Sequence, residues 1–528
     1  MKNLRSLLRG CVCALALASV SATGVMAEEV LKFRGAGKLD LLDPIWTSNF
    51  AVRDHGFLVY ETLFAPDADY NPQPMMIDTW SVSEDGKTYT FTLREGLLFH
   101  DGSTVDTGDV IASLSRWMEK DSSGQIIAAR LQSMDAVDDL SFTMTLSDPL
   151  AMLIPALGKV SSNVPFIMPE EIAQTPSDEQ ITSPIGSGPY VFQLDEWQPG
   201  VQAVYTPFDG YQPRSEPRSG LAGEKIAHFD RIERLFFADE LTAANALMTG
   251  EIDYIPLLSP DTVQILQGNP EVEVAVKNPL GKSVQIVMNH LQPPFDDVRI
   301  RQAVQLALGQ SDYLIGMYGD QTQFYQECPA LFMCGTPLES DVNSERVMAK
   351  DPEAAKALLE EAGYDGTPVT ILHAMDINDQ RIGGTITVQS LQNAGFVVDE
   401  VVTDWATVAQ RRANKGPVSE GGWNIFQTGW TGDAMMSPIT NVYVTGACED
   451  AWYGWHCDEQ IQELRSAFVD AQTEEERLSV AEAIQERAFE IVSVVIMGQF
   501  VDPAAWRSDL KGMEEFPIFT NLWGVTRE

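Results

Sequence analysis

Thr88 to Trp117 reads TYTFTLREGLLFHDGSTVDTGDVIASLSRW. Thr88–Leu93 alternates polar and apolar residues with period two and follows the turn pair Asp85-Gly86, which predicts a strand with one buried face. Val110, Leu114, Trp117 and Met118 then recur at helical spacing. The same alternation of strand-like and helix-like stretches runs outward in both directions, the mark of an α/β fold. Three further helices are readable. One begins near Asp297 with Ile300, Val304, Ala307 and Leu308 on its apolar face. A second has Asp351 as N-cap, Pro352 at the first helical position, Leu358 and Leu359 facing inward, and Gly363 at its end. A third runs from the capping box Thr473-x-x-Glu476 to about Val495, with the stripe Leu478, Ala481, Ile484, Ala488 and Ile491. Loops rich in Pro and Gly fall at 183–189, 206–223 and 292–296. The stretch 207–223 reads as a surface excursion and not as a linker.

The chain has 528 residues, of which 44% are hydrophobic and 21% charged. That length predicts two to four domains with ample core. Asp and Glu number 76 against 35 Lys and Arg, a formal net charge of −41. Such a surface repels phosphate backbones and anionic lipid, which excludes nucleic acid as a partner class. It favours solubility and mildly favours cationic ligands, although a solvated acidic coat is the plainer explanation.

Residues 1–27 have the pattern of a secretory signal: Lys2, Arg5 and Arg9, then the apolar run CVCALALASV, then Val25-Met26-Ala27 with small residues at the cleavage site. The apolar run is too short to span a bilayer. Leu8-Arg9-Gly10-Cys11 precedes that run instead of following it, so no lipid anchor is expected. Loss of the segment removes three positive charges and no negative ones, taking the net charge from −41 to −44. Four cysteines remain: Cys328, Cys334, Cys448 and Cys457. In an exported chain an even number predicts two disulfides. Three connectivities are open; the local pairs 328–334 and 448–457 are preferred because each closes a short loop marked by Gly or Pro.

Motifs for chemistry are sparse. H-E-x-x-H and G-x-S-x-G do not occur. Gly86-Lys87-Thr88 and Gly281-Lys282-Ser283 lack the upstream Gly of a phosphate loop, and Gly35-x-Gly37 lacks its third glycine. The six histidines are scattered, and Cys-x5-Cys and Cys-x8-Cys are not zinc spacings. Asp67-x-Asp69-x-Asn71 has Pro72 where a calcium loop needs Gly. Neither a metal, a cofactor nor a catalytic group is therefore predicted.

The stretch 88–117 resembles the most recognisable block of the solute-binding proteins of the dipeptide/oligopeptide/nickel ABC-transporter family, solute-binding protein family 5. Other segments match in the same order: Leu42-Asp43-Pro44 with Tyr60-Glu61-Thr62-Leu63, Pro72 to Trp80, Gly186-Ser187-Gly188-Pro189-Tyr190 and Gly250-Glu251-Ile252-Asp253. These are followed by Pro294 to Ala303, Ala354 to Gly363, and Gly429-Trp430-Thr431-Gly432-Asp433. The resemblance covers nearly the whole chain after the leader.

It implies a type II periplasmic-binding-protein fold: two α/β lobes joined by a hinge, with an additional α/β domain. Lobe I would comprise 28–78, 185–278 and 497–528, the extra domain 79–184 and lobe II 279–496. It also implies a periplasmic, monomeric component of an ABC importer that captures a peptide or peptide-like solute unaltered and passes it to the permease subunits. In peptide-binding members the Asp of G-W-x-x-D meets the ligand's ammonium, which points to Asp433, with Trp430 as a pocket wall and Gly429 leaving backbone open. Ser48, Asn49 and Phe50 would offer a backbone edge to an extended peptide. Arg381 is the candidate for a ligand carboxylate. The aromatic loop between Cys448 and Cys457, through Trp452 and Trp455, would roof the cleft. The ordinary alternatives are an exposed acid for Asp433, core packing for Trp430 and a self-packed loop for 448–457. An opine, sugar or metal chelate on the same fold, and a secreted hydrolase, are the competing readings.

Overall fold

The computed structural model describes residues 28–161, 163–516 and 520–528; the leader 1–27 and the reading made on it lie outside them. Val30–Arg34 (β1) buries Leu31 and Phe33 and runs parallel to Arg231–Leu235 and to Tyr254–Ile255. It sits centrally in a seven-stranded sheet. The order is Val272–Val276, Pro503–Arg507, Tyr254–Ile255, β1, Arg231–Leu235, Gln202–Pro207, Tyr190–Phe192. This is lobe I. The second sheet is built on Lys282–Met288 and Ile425–Thr431, antiparallel, with Val369–Ala374 and Val398–Thr403 beyond. This is lobe II. A four-stranded sheet, Ile77–Val82, Thr88–Leu93, Ser141–Leu146 and Leu131–Ala136, forms the additional domain with the helix Thr107–Lys120 (α2).

Local readings translate directly. Thr88–Leu93 buries Tyr89, Phe91 and Leu93 and leaves the alternate face half-buried. The helices Val298–Ala307 and Pro352–Ala362 carry the caps Asp297 and Asp351, and Gly363 closes the latter in the left-handed region. The helix capped by Thr473 stops at Ile491, short of Val495. Val492 turns left-handed there, and Val495–Ile496 pairs with the Lys282–Met288 strand. Gln499–Phe500 belongs to that same sheet. The second crossing between lobes therefore falls after Phe500, not before residue 497, because backbone pairing holds 499–500 in lobe II.

A second correction concerns Ser48 to Phe50. Asn49 caps the helix Phe50–Val59 (α1), its side chain accepting from the Ala51 N–H, and its carbonyl takes the amides of Val52 and Arg53. Helical pairing thus engages the Asn49 carbonyl, which strand addition would need free.

Several of the sequence motifs are clamps. Asp43 is buried and receives the Arg116 guanidinium of α2 in two bonds, Nη1 to Oδ1 at 3.1 Å and Nη2 to Oδ2 at 2.7 Å. It also accepts from the amides of Ile45, Trp46 and Ile181, tying lobe I to the extra domain. Gly186 and Gly188 pass against the end of α1. A Cβ on Gly186 would lie 2.0 Å from the Val59 carbonyl oxygen, so only glycine allows the approach. Asp253 accepts from the Lys32 amide and from Arg527. The 207–223 loop is strapped down: the Tyr211 hydroxyl donates to Glu61, which also holds buried Lys225 with both oxygens at 3.0 Å. No helix among the described residues is long and apolar enough to cross a membrane.

The Asp43–Arg116 pair, both side chains at most 2% exposed, yields the first test. Replacing Asp43 by Ala strands a buried guanidinium, a change that costs about 3–5 kcal/mol. Urea unfolding of Asp43→Ala is expected to show that loss, and a loss under about 1 kcal/mol would remove Asp43 from the fold's supports.

Candidate functional site

α1 has the sequence FAVRDHGFLV, an apolar run interrupted by Arg53, Asp54 and His55. All three are buried. Asp54 accepts a bond from the Thr520 hydroxyl at 3.0 Å; burial raises its pKa, and Arg53 opposes the rise. The His55 ring lies 3.1 Å from the Tyr205 hydroxyl, and burial, reinforced by Arg234, lowers its pKa to about 3.

From lobe II the Ile425–Thr431 strand ends in a short turn of helix, Gly432–Met435, that carries Asp433. Asp433 Oδ2 lies 3.5 Å from Arg53 Nη1, with the side chains 1% and 2% exposed. Neither carboxylate oxygen of Asp433 accepts a hydrogen bond among the described residues. From the extra domain comes Lys159. Its pKa is lowered by burial, and the charges of Asp121 and Asp433 oppose that. Lobe I, lobe II and the extra domain thus converge on one buried carboxylate. One apolar cluster runs from lobe I and the extra domain to Met435, Ile439 and Tyr443 of lobe II. The lobes are in contact.

Between them lies a cavity of about 390 Å³. Lobe I contributes Arg34 to Gly37, from the end of β1 onward, with Glu240 and the 256–260 turn. Lobe II contributes Lys282, Tyr318, Asp502 and the 377–379 turn, where the helix Asn378–Asn393 starts. The charges are only partly paired. Lys282 contacts Asp502, which also accepts from the Tyr318 hydroxyl at 3.2 Å. Glu240 accepts the Ser259 amide at 2.7 Å. Arg34 Nη1 reaches the Leu257 carbonyl at 3.4 Å. Asp379 Oδ1 is shielded from solvent without a hydrogen-bond partner among the described residues.

The structure distributes the residues expected at a site. Gly429 is exposed beside this cavity, 3.3 Å separating Asp379 Oδ2 from the place of a Cβ on it. Asp433 and Trp430 do not line the cavity among the described residues. Trp430 donates from its indole to the Tyr443 hydroxyl at 2.9 Å and packs edge-on against Trp452. Phe50 is 38% exposed with Arg53 over its ring, and Ser48 and Asn49 are exposed. Arg381 is exposed and donates to Asn378, which is itself on the cavity wall.

Disulfides join Cys328 to Cys334 and Cys448 to Cys457, the local pairing. The loop within the second turns its rings inward. Trp455 is 3% exposed and packs on Trp423. Trp452 contacts Phe426, Tyr443 and Tyr453, and Arg412 fills the box between Trp405, Trp452 and Tyr453. The expected roof over a ligand is a self-packed cap on lobe II, because these aromatic faces already have a cation and each other. Arg34, Arg53 and Asp379 went unnoticed in the sequence. Only the charged triplet inside the apolar α1 run could have drawn attention to one of them. No group of three or more His, Cys, Asp or Glu among the described residues could hold a metal ion.

Residues 71–453 match the family model described as bacterial extracellular solute-binding proteins, family 5, middle. A probable peptide ABC transporter periplasmic-binding protein of Sinorhizobium fredii is 33% identical over 95% of this chain and 94% of its own. The glutathione-binding protein of Salmonella paratyphi A is 27% identical over 81% and 80%. Two solved structures share the fold. One is the binding protein AgaA of A. tumefaciens R10 with agropinic acid, with TM-score 0.77, 23% identity, and 94% and 99% of the chains covered. The other is DppA of Helicobacter pylori with the peptide STSA, with TM-score 0.78, 20% identity, and 95% and 99% covered. The chain belongs to the family-5 extracellular solute-binding proteins.

Two measurements test this geometry. Arg53→Leu and Asp433→Asn are each expected to lose about 3 kcal/mol of stability, the cost of stranding a buried charge, and the double variant less than their sum. Additive losses would mean that the two charges do not meet. In the cap, the His456 Nε2 accepts the Gly446 N–H at 2.9 Å, which only a neutral ring allows, and burial lowers the His456 pKa to about 4. A folded pKa below the unfolded 6.5 stabilises fully above pH 6.5, and that stability fades as pH falls towards 4. The stability gap between wild type and His456→Gln is expected to shrink by about 2 kcal/mol from pH 7.5 to pH 5. A constant gap across that range would show the ring to be charged or exposed.

Proposed function

We propose that this chain is the solute-capturing component of a bacterial ABC importer. It takes a peptide or peptide-like solute between its lobes, without altering it, and presents the closed form to the membrane permease. The interlobe cavity carries this reading. Its walls come from both lobes, and about 390 Å³ is at the small end of ligand pockets, roughly 300–1,000 Å³. A solute of di- or tripeptide size suits it. Such a solute touches both lobes at once, so it binds the closed form better than the open one. That difference in affinity is what drives closure.

Of the relatives that resemble the chain along most of its length, one is by name a probable periplasmic-binding protein of a peptide ABC transporter and another a glutathione-binding protein, and they support a periplasmic, non-enzymatic role. The leader expected at 1–27 supports the same compartment.

The direct test is a thermal-shift screen of the chain without its leader, with glutathione, trialanine, agropinic acid, maltotriose and nickel chloride as probes. A solute at about 100 times its dissociation constant adds about 2.7 kcal/mol, a readily visible rise in melting temperature. A rise with a peptide, recovered unchanged afterwards, is the expected result. Release of hydrolysis products would instead establish an enzyme.

A further inference from the structure

The two disulfides differ in what surrounds them. Cys328 and Cys334 are 3% and 6% exposed. Their amides donate to the side chains of buried Gln310 and buried Gln499, which fixes both ends of that bridge inside lobe II. In the second bridge Cys448 is half-buried and Cys457 is exposed. Thiol–disulfide exchange requires a thiolate to reach a sulfur, so access decides which bridge reacts and which of its two sulfurs is attacked. By that criterion 448–457 is the reactive bridge and Cys457 its electrophilic end.

The cap also holds a backbone that would not persist by itself. Cys448 and Trp455 both lie in the left-handed region, at φ 58° and 50°, and neither is a glycine. Such residues keep that conformation only where their surroundings over-determine it. Beside the covalent bridge, the Cys448 N–H donates to the His456 carbonyl at 3.2 Å and the Trp455 N–H to the Trp452 carbonyl at 3.0 Å. Cutting the bridge leaves this conformation to bonds of ordinary strength and to ring packing.

Trp452, inside the loop, links the cap to the cleft. Its ring centroid lies 5.7 Å from that of Trp430 and 5.3 Å from that of Tyr443. Trp430 belongs to the strand Ile425–Thr431, which runs directly into the turn carrying Asp433, the acid that faces Arg53 of lobe I. The bridge therefore stands at one end of a continuous series of contacts that ends at the interlobe ion pair. Closed and open, it supplies the two discrete states that such coupling requires.

We infer that Cys448–Cys457 is an exchange site for low-molecular-weight thiols, and that its opening loosens the cap and, through Trp452 and Trp430, the hold of Asp433 on lobe I. The thiolate attacks Cys457 Sγ and forms a mixed disulfide there. The bond to Cys448 breaks, and Cys448 leaves with the electron pair and takes a proton from water. A second thiol then displaces Cys457 as a thiol and departs as the symmetrical disulfide of the reagent, while return attack by Cys448 on the mixed disulfide restores the bridge. None of this depends on which solute the cleft takes.

The test treats the folded chain without its leader with graded 2-mercaptoethanol, a thiol with no peptide character. Alkylation quenches each sample, and mass spectrometry reads the four cysteines. The bridge 448–457 is expected to open at a thiol concentration at least about tenfold below that needed for 328–334, with the adduct on Cys457. At that lower concentration amide hydrogen exchange is expected to quicken at least about fivefold in 446–458 and in 429–435, and to stay unchanged in 326–336. The variant Cys448→Ser/Cys457→Ser is expected to show the fast exchange with no thiol present. Trp452→Ala is expected to abolish the response of 429–435 and keep that of 446–458. Circular dichroism establishes that each variant folds; should the double-serine variant not fold, wild type opened and alkylated provides the same comparison. Equal thresholds for the two bridges, or an adduct on Cys448, overturn the exchange site. Opening that quickens 446–458 and leaves 429–435 at its original rate overturns the coupling to Asp433.

Discussion

Two opposite charges buried against each other from different lobes govern what this molecule can do. Arg53 and Asp433 approach to 3.5 Å. At an effective dielectric of about 20 their attraction is roughly 5 kcal/mol, but removing both from water costs several kcal/mol for each. The two amounts nearly cancel. A pair of this kind specifies how the lobes meet without making the closed form strongly preferred by itself. A solute-binding protein needs that balance. If closure were strongly favourable alone, the permease would meet closed and empty molecules; if strongly unfavourable, the ligand's binding energy would be consumed in closing.

The fold was largely legible because its signals are local. Alternation at Thr88–Leu93, the caps Asp297 and Asp351, and the capping box at Thr473 each depend on neighbours a few residues away. Failures occurred where a distant strand or helix decided the outcome. The Thr473 helix was expected to reach Val495, but pairing with the Lys282–Met288 strand claims 495–496 and 499–500. Residues 48–50 were expected to present an edge, but the helix they begin is held against Gly186 and Gly188 from far along the chain. The aromatic loop was placed over a ligand because so dense a set of rings is unusual for a surface loop; the partner, Arg412, lies some forty positions earlier.

The site was legible in its family and not in its chemistry, for a physical reason. The ordered motifs are largely fold clamps. Asp43 binds Arg116, Asp253 binds Arg527, and Arg301 caps the far end of another helix through the Ile491 carbonyl. Such clamps hold the fold together. Arg34, Asp379 and Arg53 gain their meaning only from juxtaposition across the cleft, and no spacing rule spans the distance from residue 53 to residue 433.

The acidic surface and the cleft act over different ranges. A net charge of −41 produces a field that salt screens within about 8 Å at physiological ionic strength, so it raises the local concentration of cationic solutes and does not choose among them. Inside the cavity Arg34 and Lys282 face Glu240, Asp379 and Asp502, one negative charge in excess. A singly charged cation neutralises that excess in bulk terms. Asp379 Oδ1 nevertheless has no donor among the described residues, and Arg34 is held by a long bond to the Leu257 carbonyl. In a shielded site unsatisfied polar groups weigh more than net charge, because each carries its own desolvation cost. Selection in the cleft is therefore set by the placement of individual polar atoms, and the coat of carboxylates outside governs only how often a solute arrives.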